Sequence, residues 1–288
     1  IARRQRQMCI RDSVQSARGW LRQRRVGHTG TLDPLATGLM VLCLGYATRL
    51  SEYLLEQTKE YCAVIRFGQT TDSYDADGEV TSTNPVNIGL AEVTNALHQF
   101  RGEINQIPPV FSAKKHSGKR SYKLAREGKT VRMRARRVRI DKLHAIDFEN
   151  ADVTLELSCS AGTYVRALAH DLGQVLGCGA HRVSLRRTAV GKFSIQQAHT
   201  TKELESEFVS GLGKRHVLPP GEALSDWPEI MLRGECVRQL QHGNPVKVGG
   251  SIPHRLGLAY DSRGKLIAVV EGHPKEGHWQ PRKVLIQQ

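Results

Sequence analysis

No apolar run in this 288-residue chain approaches the roughly twenty residues that a helix needs to cross a bilayer. Cysteine is scarce and scattered, at Cys9, Cys43, Cys62, Cys159, Cys178 and Cys236, with no CxxC pair. Zinc sites draw on closely spaced ligand pairs, and although Cys178 and His181 have C-x-x-H spacing, no second pair follows. The spacing fits reduced thiols rather than a disulfide framework. No GK[ST] follows a glycine at P-loop spacing, and neither GxSxG nor HExxH occurs. Residues 72–78, DSYDADG, resemble the start of a calcium loop. With Gly78 in the sixth position, however, Asn84 falls at the twelfth, where that loop needs a bidentate Glu. No metal and no cofactor are therefore expected.

Negative charge is lacking most conspicuously in residues 112–139. Twelve basic residues stand there (Lys114, Lys115, Lys119, Arg120, Lys123, Arg126, Lys129, Arg132, Arg134, Arg136, Arg137 and Arg139) against one acid, Glu127. This local net charge of +11 is most of the +14 carried by the whole chain. A solvated face usually mixes signs, so a one-signed stretch of this length points to a polyanion. His116, Gly118 and Tyr122 lie within it, as suits a loop that orders on a phosphate backbone. No long basic amphipathic helix with an aromatic face is evident, so nucleic acid is expected rather than a membrane surface.

One acid stands out elsewhere. GHTGTLDPLATG, residues 27–38, holds Asp33 among glycines, hydroxyls and small apolar residues. Gly27, Gly30, Gly38 and Pro34 allow or impose special backbone angles, so the segment reads as a shaped loop that presents a carboxylate. Asp-Pro is also a common turn dipeptide. Taken alone, Asp33 fits a turn residue at least as well as a nucleophile.

Periodicity predicts helices over 13–25, 47–57, 90–101 and 163–176, and another in 200–225 that a Pro-Pro-Gly break follows. Strands are expected over 39–46, 59–68, 138–148, 152–160 and 182–193, with a polar loop over 69–79. Pro219-Pro220-Gly221 is the best boundary. Short strands beyond it, such as 245–248 and 265–270, suggest a small β-barrel-like module. Residues 1–12, IARRQRQMCIRD, show no apolar period and repeat Arg-Gln, so they are expected to be a foreign leader outside the fold.

Several separated segments resemble one family in order and spacing. GHTGTLDPLATG at 27–38 with GYATRLSEYL at 45–54 resembles the active-site motif of bacterial tRNA pseudouridine-55 synthases, the TruB family. KEYCAVIRFGQTTDSYDADG at 59–78 and IPPVFSAKKHSGKRSYKLAREG at 107–128 are similar to its next motif and its RNA-gripping insertion. CSAGTYVRALAHDLG at 159–173 and GAHRVSLRRTAVGKFS at 179–194 are similar to the later ones. The resemblance implies an α/β pseudouridine synthase fold with a mixed, largely antiparallel sheet over 13–200. It further implies an RNA-binding insertion at about 107–139, a helix and linker over 201–225, and a PUA-like RNA-binding module over 226–288.

It also implies roles. Asp33 would be the catalytic aspartate, Arg166 the arginine that pairs with it, and Tyr61 the ring that stacks on the target base. His28 would help accommodate the flipped nucleotide, and Tyr164 and Leu185 would line its pocket. Lys114, Lys115, Lys119 and Arg120 would grip RNA. The implied substrate is the T-arm uridine of tRNA, handled by a cytoplasmic monomer with no cofactor and no obligate protein partner. Two rivals remain: a weakly active or inactive tRNA-binding or chaperone protein, and a guide-RNA-dependent synthase. The family usually opens with a strand bearing Lys-Pro-x-Gly, and residues 1–12 stand in its place. A sheet edge left unpaired, with lower stability and activity, is therefore expected.

Overall fold

Alternation of buried and exposed residues along the chain builds one large sheet. The computed structural model describes residues 2–4, 10–109, 115–116, 119–120 and 133–285. In chain order the strands begin with β1 (Ala2–Arg4), β2 (Val26–His28), β3 (Thr37–Met40), β4 (Leu42–Leu44), β5 (Lys59–Phe67), β6 (Gln69–Thr71) and β7 (Val80–Thr83). They continue with β8 (Gly102–Gln106), β9 (Lys115–His116), β10 (Lys119–Arg120), β11 (Arg136–Glu149), β12 (Asp152–Cys159) and β13 (Ala180–Val190). The last are β14 (Phe193–Ser194), β15 (His199–Thr200), β16 (Glu229–Met231), β17 (Leu256–Tyr260), β18 (Leu266–His273) and β19 (His278–Val284). The α-helices are α1 (Ile10–Leu21), α2 (Ser51–Leu55), α3 (Leu90–Leu97), α4 (Val165–Val175), α5 (Thr201–Val209) and α6 (Glu235–Gln241). None is long and apolar enough to cross a membrane among the described residues.

The main sheet runs β15-β1-β3-β13-β5-β12-β11-β8, with β14 paired to β13. Two pairings, β1 with β15 and β3 with β13, are parallel, and the others are antiparallel. This is the mixed, largely antiparallel α/β fold expected. Strand β12 shows why it forms: Val153, Leu155 and Leu157 alternate inward opposite Ile65, Ala63 and Tyr61 of β5. Helices α3 and α4 cover that face, packing Val93, Leu97, Leu168 and Leu172 onto Ile65, Ile140, Leu143 and Leu155. A second sheet, β16-β17-β18-β19, carries the C-terminal part. It is not a separate bead: Leu258, Leu266, Val269 and Leu285 form one apolar cluster with Cys43, Leu50, Leu54 and Leu224.

Several expectations need correction. Residues 2–4 do not lie outside the fold, because β1 inserts between β3 and β15 and fills the edge expected to be open. Helix α1 begins at Ile10, inside the supposed leader. The apolar run 39–46 is not one strand: β3 ends at Met40, and β4 leaves to pair with β2. The polar loop over 69–79 starts as β6, paired to β7. The strand expected at 245–248 reduces to a single bridge between Val246 and Trp279, and the short helix α6 was not foreseen.

Gly38 sits where β3 passes β13, with φ of 101°. A Cβ there would press into the Arg187 carbonyl oxygen and lie 2.7 Å from the Arg187 nitrogen. Neither is the end of a flexible side chain. Gly38→Ala should therefore lower stability by about 2 kcal/mol or more, from overpacking together with the disfavoured backbone angle. Denaturant unfolding of the two proteins measures it, and an unchanged midpoint would refute the close approach.

Candidate active site

The loop of residues 27–38 is shaped by its backbone. Gly30 takes φ of 138° and Gly38 101°, whereas Gly27 adopts ordinary strand angles within β2. The Thr29 N–H donates to the Val41 carbonyl at 3.1 Å, and the Ala36 N–H to the Asp33 carbonyl at 3.0 Å. Asp33 thus closes a turn with its main chain while its side chain remains available for other contacts. The two sequence readings of Asp33 are compatible.

Its carboxylate meets two arginines. Arg166 Nη2 donates to Oδ1 at 2.9 Å, and Arg182 Nη1 donates to Oδ2 at 2.9 Å. Arg166 lies in the first turn of α4 and is buried, not exposed as a lone helix arginine usually is. The turn before it is pinned by Gln106 at the end of β8. The Gln106 side chain donates to the Tyr164 carbonyl at 3.0 Å and accepts from the Tyr164 N–H at 2.7 Å.

Tyr61 of β5 stands opposite Arg187 of β13 and Leu157 of β12. Its hydroxyl lies near the charged Arg187 side chain. Burial pushes the Tyr61 phenol up to about 12, against the pull of Arg187, so it stays neutral over the working range. Arg187 is itself fully buried, and burial lowers its pKa. Its Nε donates to the Leu39 carbonyl at 2.9 Å, and Nη1 and Nη2 both reach the Gly30 carbonyl at 3.4 Å. Arg187 therefore ties the Asp33 loop to the sheet.

These groups line one cleft of about 410 Å³. Of the residues expected from the sequence, Asp33, Tyr61, Tyr164, Arg166 and Leu185 all border it. His28 does not: its Nδ1 accepts from the Gly30 N–H at 3.3 Å, which braces the loop from behind. Burial first, and Arg187 second, lower the His28 pKa, consistent with a neutral ring that accepts this bond. Lys114 lies outside the described residues. Lys115 is on β9 and Lys119 and Arg120 on β10, an antiparallel pair that sets Arg120 opposite Lys115.

Sequence reasoning did not single out Lys59, Gln106, Asp75, Arg182 or Arg187. Lys59 is a buried cation in the cleft wall. Its Nζ donates to the carbonyls of Leu55 and, at 2.6 Å, Gln57, just past α2. Burial, with Arg187 second, pulls its pKa down to about 8. Among the described residues, the three side chains close enough to share an ion are His273, Glu276 and His278 at the β18–β19 turn, and none borders the cleft.

A carboxylate held by two guanidinium groups beside a half-buried aromatic ring suits chemistry on a flat, polar ring drawn out of a stack. Comparison with known proteins bears on which chemistry. Residues 18–165 match the N-terminal domain of TruB family pseudouridylate synthases, and residues 166–225 match the C-terminal domain of tRNA pseudouridylate synthase B. The chain is 41% identical over 283 residues to the tRNA pseudouridine synthase B of Pseudomonas aeruginosa (strain UCBPP-PA14), covering 97% of this chain and 93% of that protein. It is 44% identical over 237 residues to the enzyme of that name in Chromobacterium violaceum, covering 82% of this chain and 77% of that one. Among solved structures, the crystal structure of a Cbf5-Nop10-Gar1 complex superposes with a TM-score of 0.76 at 22% identity. It covers 99% of this chain and 84% of the other, and that likeness is one of fold.

Removing the Tyr61 hydroxyl would take a polar neighbour away from the buried Arg187. Tyr61→Phe should cost about 1 kcal/mol of stability, the scale of a lost polar contact. Urea unfolding reads the difference, and stability equal to the parent's would sink the Tyr61–Arg187 contact.

Proposed function

This chain belongs to the TruB family of pseudouridylate synthases, and from that premise we propose that it isomerises the T-arm uridine of tRNA, position 55, with Asp33 as the catalytic carboxylate. The observation that carries the reading is the single cleft on which Asp33, Arg166, Tyr61, Tyr164 and Leu185 converge. In uridine the sugar C1′ is bonded to N1 of the base. The reaction breaks that bond, turns the base, and bonds C1′ to C5. C5 gives up its proton and N1 gains one, so the product is an isomer and no oxidant, reductant or group donor is consumed. A carboxylate can serve such a sequence as nucleophile or base.

Each residue has a part in the proposal. Arg166 holds the carboxylate oxygen Oδ1 in place. Tyr61 offers its ring to the uracil, while its neutral hydroxyl stays near Arg187. Tyr164 and Leu185 close the pocket, and a cleft of this size accommodates one flipped base. His28 acts through the loop it braces. Lys114, Lys115, Lys119 and Arg120, within the basic stretch, take the phosphates. Several such contacts make affinity fall steeply with salt. Residues 226–288 act as a PUA-like second RNA contact. The enzyme works as a cytoplasmic monomer without an obligate protein partner, where its tRNA substrate is found.

Unmodified T-arm RNA incubated with the parent chain and with Asp33→Asn, followed by pseudouridine mapping, tests the reading. Product is expected from the parent and not from Asp33→Asn, with RNA binding retained by both. Product from Asp33→Asn at the parent's rate would remove Asp33 from the chemistry. Binding without product from the parent would point to an RNA-binding protein instead.

A further inference from the structure

Arg182 is among the most deeply buried side chains of the described residues, with its side chain 1% exposed, yet it borders the cleft. Its guanidinium is shared between two acids. Nε donates to Asp75 Oδ1 at 3.2 Å and Nη2 to Asp75 Oδ2, a two-point fork. The remaining nitrogen, Nη1, reaches Asp33 Oδ2. Asp75 is as buried as its partner, with its side chain 2% exposed.

Asp75 is also fixed at the main chain. Its carbonyl accepts from Thr71 Oγ1 at 2.8 Å, its N–H donates to Ser73 Oγ at 3.3 Å, and the Arg182 N–H donates to the Tyr74 carbonyl at 3.1 Å. A bridge joins Asp75 to Arg182 outside the named strands. The fork therefore sets the plane of the guanidinium from a rigid anchor, and the third contact carries that position to Asp33.

Stability alone does not account for this arrangement. Replacing a buried ion pair by well-packed apolar residues is often neutral or stabilising. A charged triad kept in a cleft wall needs another reason. The strand geometry supplies a further clue. A β-bulge lies between Arg182 and Ser184, so Arg182 stands opposite Ile65 while Leu185 and Arg187 stand opposite Ala63 and Tyr61. Those three β5 residues share one face. Without the extra residue, Arg182 would point away from Leu185 and Arg187, since strand side chains alternate with a period of two. The bulge turns Arg182 toward the cleft.

We propose that Arg182 is a positioning residue for Asp33: forked onto Asp75, it holds the second carboxylate oxygen while Arg166 holds the first. The two donors together stop the carboxylate from rotating and fix which oxygen lone pair faces the uracil ring or the sugar. This rests on Asp33 being the catalytic carboxylate. The contacts of the Arg182 guanidinium are to Asp33 and Asp75, so it acts through the carboxylate it holds.

Removing Arg182 alone would strand Asp75 as a buried unpaired charge, so the test uses the double variant Arg182→Met with Asp75→Asn, together with Arg182→Lys and Asp33→Asn. Each is assayed for melting temperature, T-arm RNA affinity and rate of pseudouridine formation at saturating RNA. The double variant is expected to melt and bind like the parent but to react on the order of 100-fold more slowly, the scale of a misplaced catalytic group. Arg182→Lys keeps the charge without the fork and should recover only part of the rate. A full rate in the double variant or in Arg182→Lys, with Asp33→Asn inactive, overturns the strut and leaves Asp33 in place. A rate loss matched by lost affinity or a lower melting temperature overturns it as well, because the role is then structural. Activity in Asp33→Asn overturns the reading beneath it.

Discussion

An arginine buried in a protein keeps its charge, so each one taken out of water must be surrounded by acceptors. Arg166, Arg182 and Arg187 are all buried at the same cleft. Much of the site's architecture answers that demand. The loop of residues 27–38 supplies the Gly30 carbonyl and the Asp33 carboxylate, β3 supplies the Leu39 carbonyl, and the segment after β6 supplies Asp75 and the Ser73 carbonyl. The glycine-rich loop comes close to the sheet because a guanidinium group draws its carbonyls inward. Gly38 is then forced by contact, since β3 lies against the main chain of the residue that does the drawing.

The same demand sorts the remaining groups by charge state. Two carboxylates, Asp33 and Asp75, face three guanidinium groups, with Lys59 in the wall of the same cleft. Tyr61 stays a neutral phenol and His28 a neutral acceptor, each with burial as the leading cause. The cleft therefore presents a cationic lining broken by one anchored carboxylate and two tyrosine rings, of which Tyr61 is held neutral by burial. That combination suits a polyanionic substrate whose reacting part is a neutral heterocycle.

Much of this was legible in the sequence, and the failures have physical causes. Strands β5 and β12 announce themselves because one face is buried, so alternation survives in the residue order. Asp33 was visible through the glycines and proline around it, and Arg166 and Tyr61 through the family likeness of their segments. Arg182 was hidden by the bulge: a period-two reading places it on the wrong face of β13. Gln106 was hidden because its work is done on the main chain of Tyr164, which leaves no trace in residue spacing. Residues 2–4 were misjudged because edge pairing uses backbone groups that any sequence carries, including one with no apolar period. The Lys59 ammonium, capping carbonyls at and just past the end of α2, looked like one more surface cation.

The basic stretch is rooted in the main sheet at both ends. Gln106 ends β8 and Arg136 begins β11, and the two are direct partners in the ladder. The chain thus leaves the sheet and returns to it at adjacent points, one holding the Tyr164 turn and the other bordering the cleft. A segment whose ends are already side by side adds little closure entropy however long it grows. The stretch between the roots and the cleft beside them are therefore separable parts of one chain. Changes of length or charge between the roots leave in place the register that aligns Asp33 with its arginines.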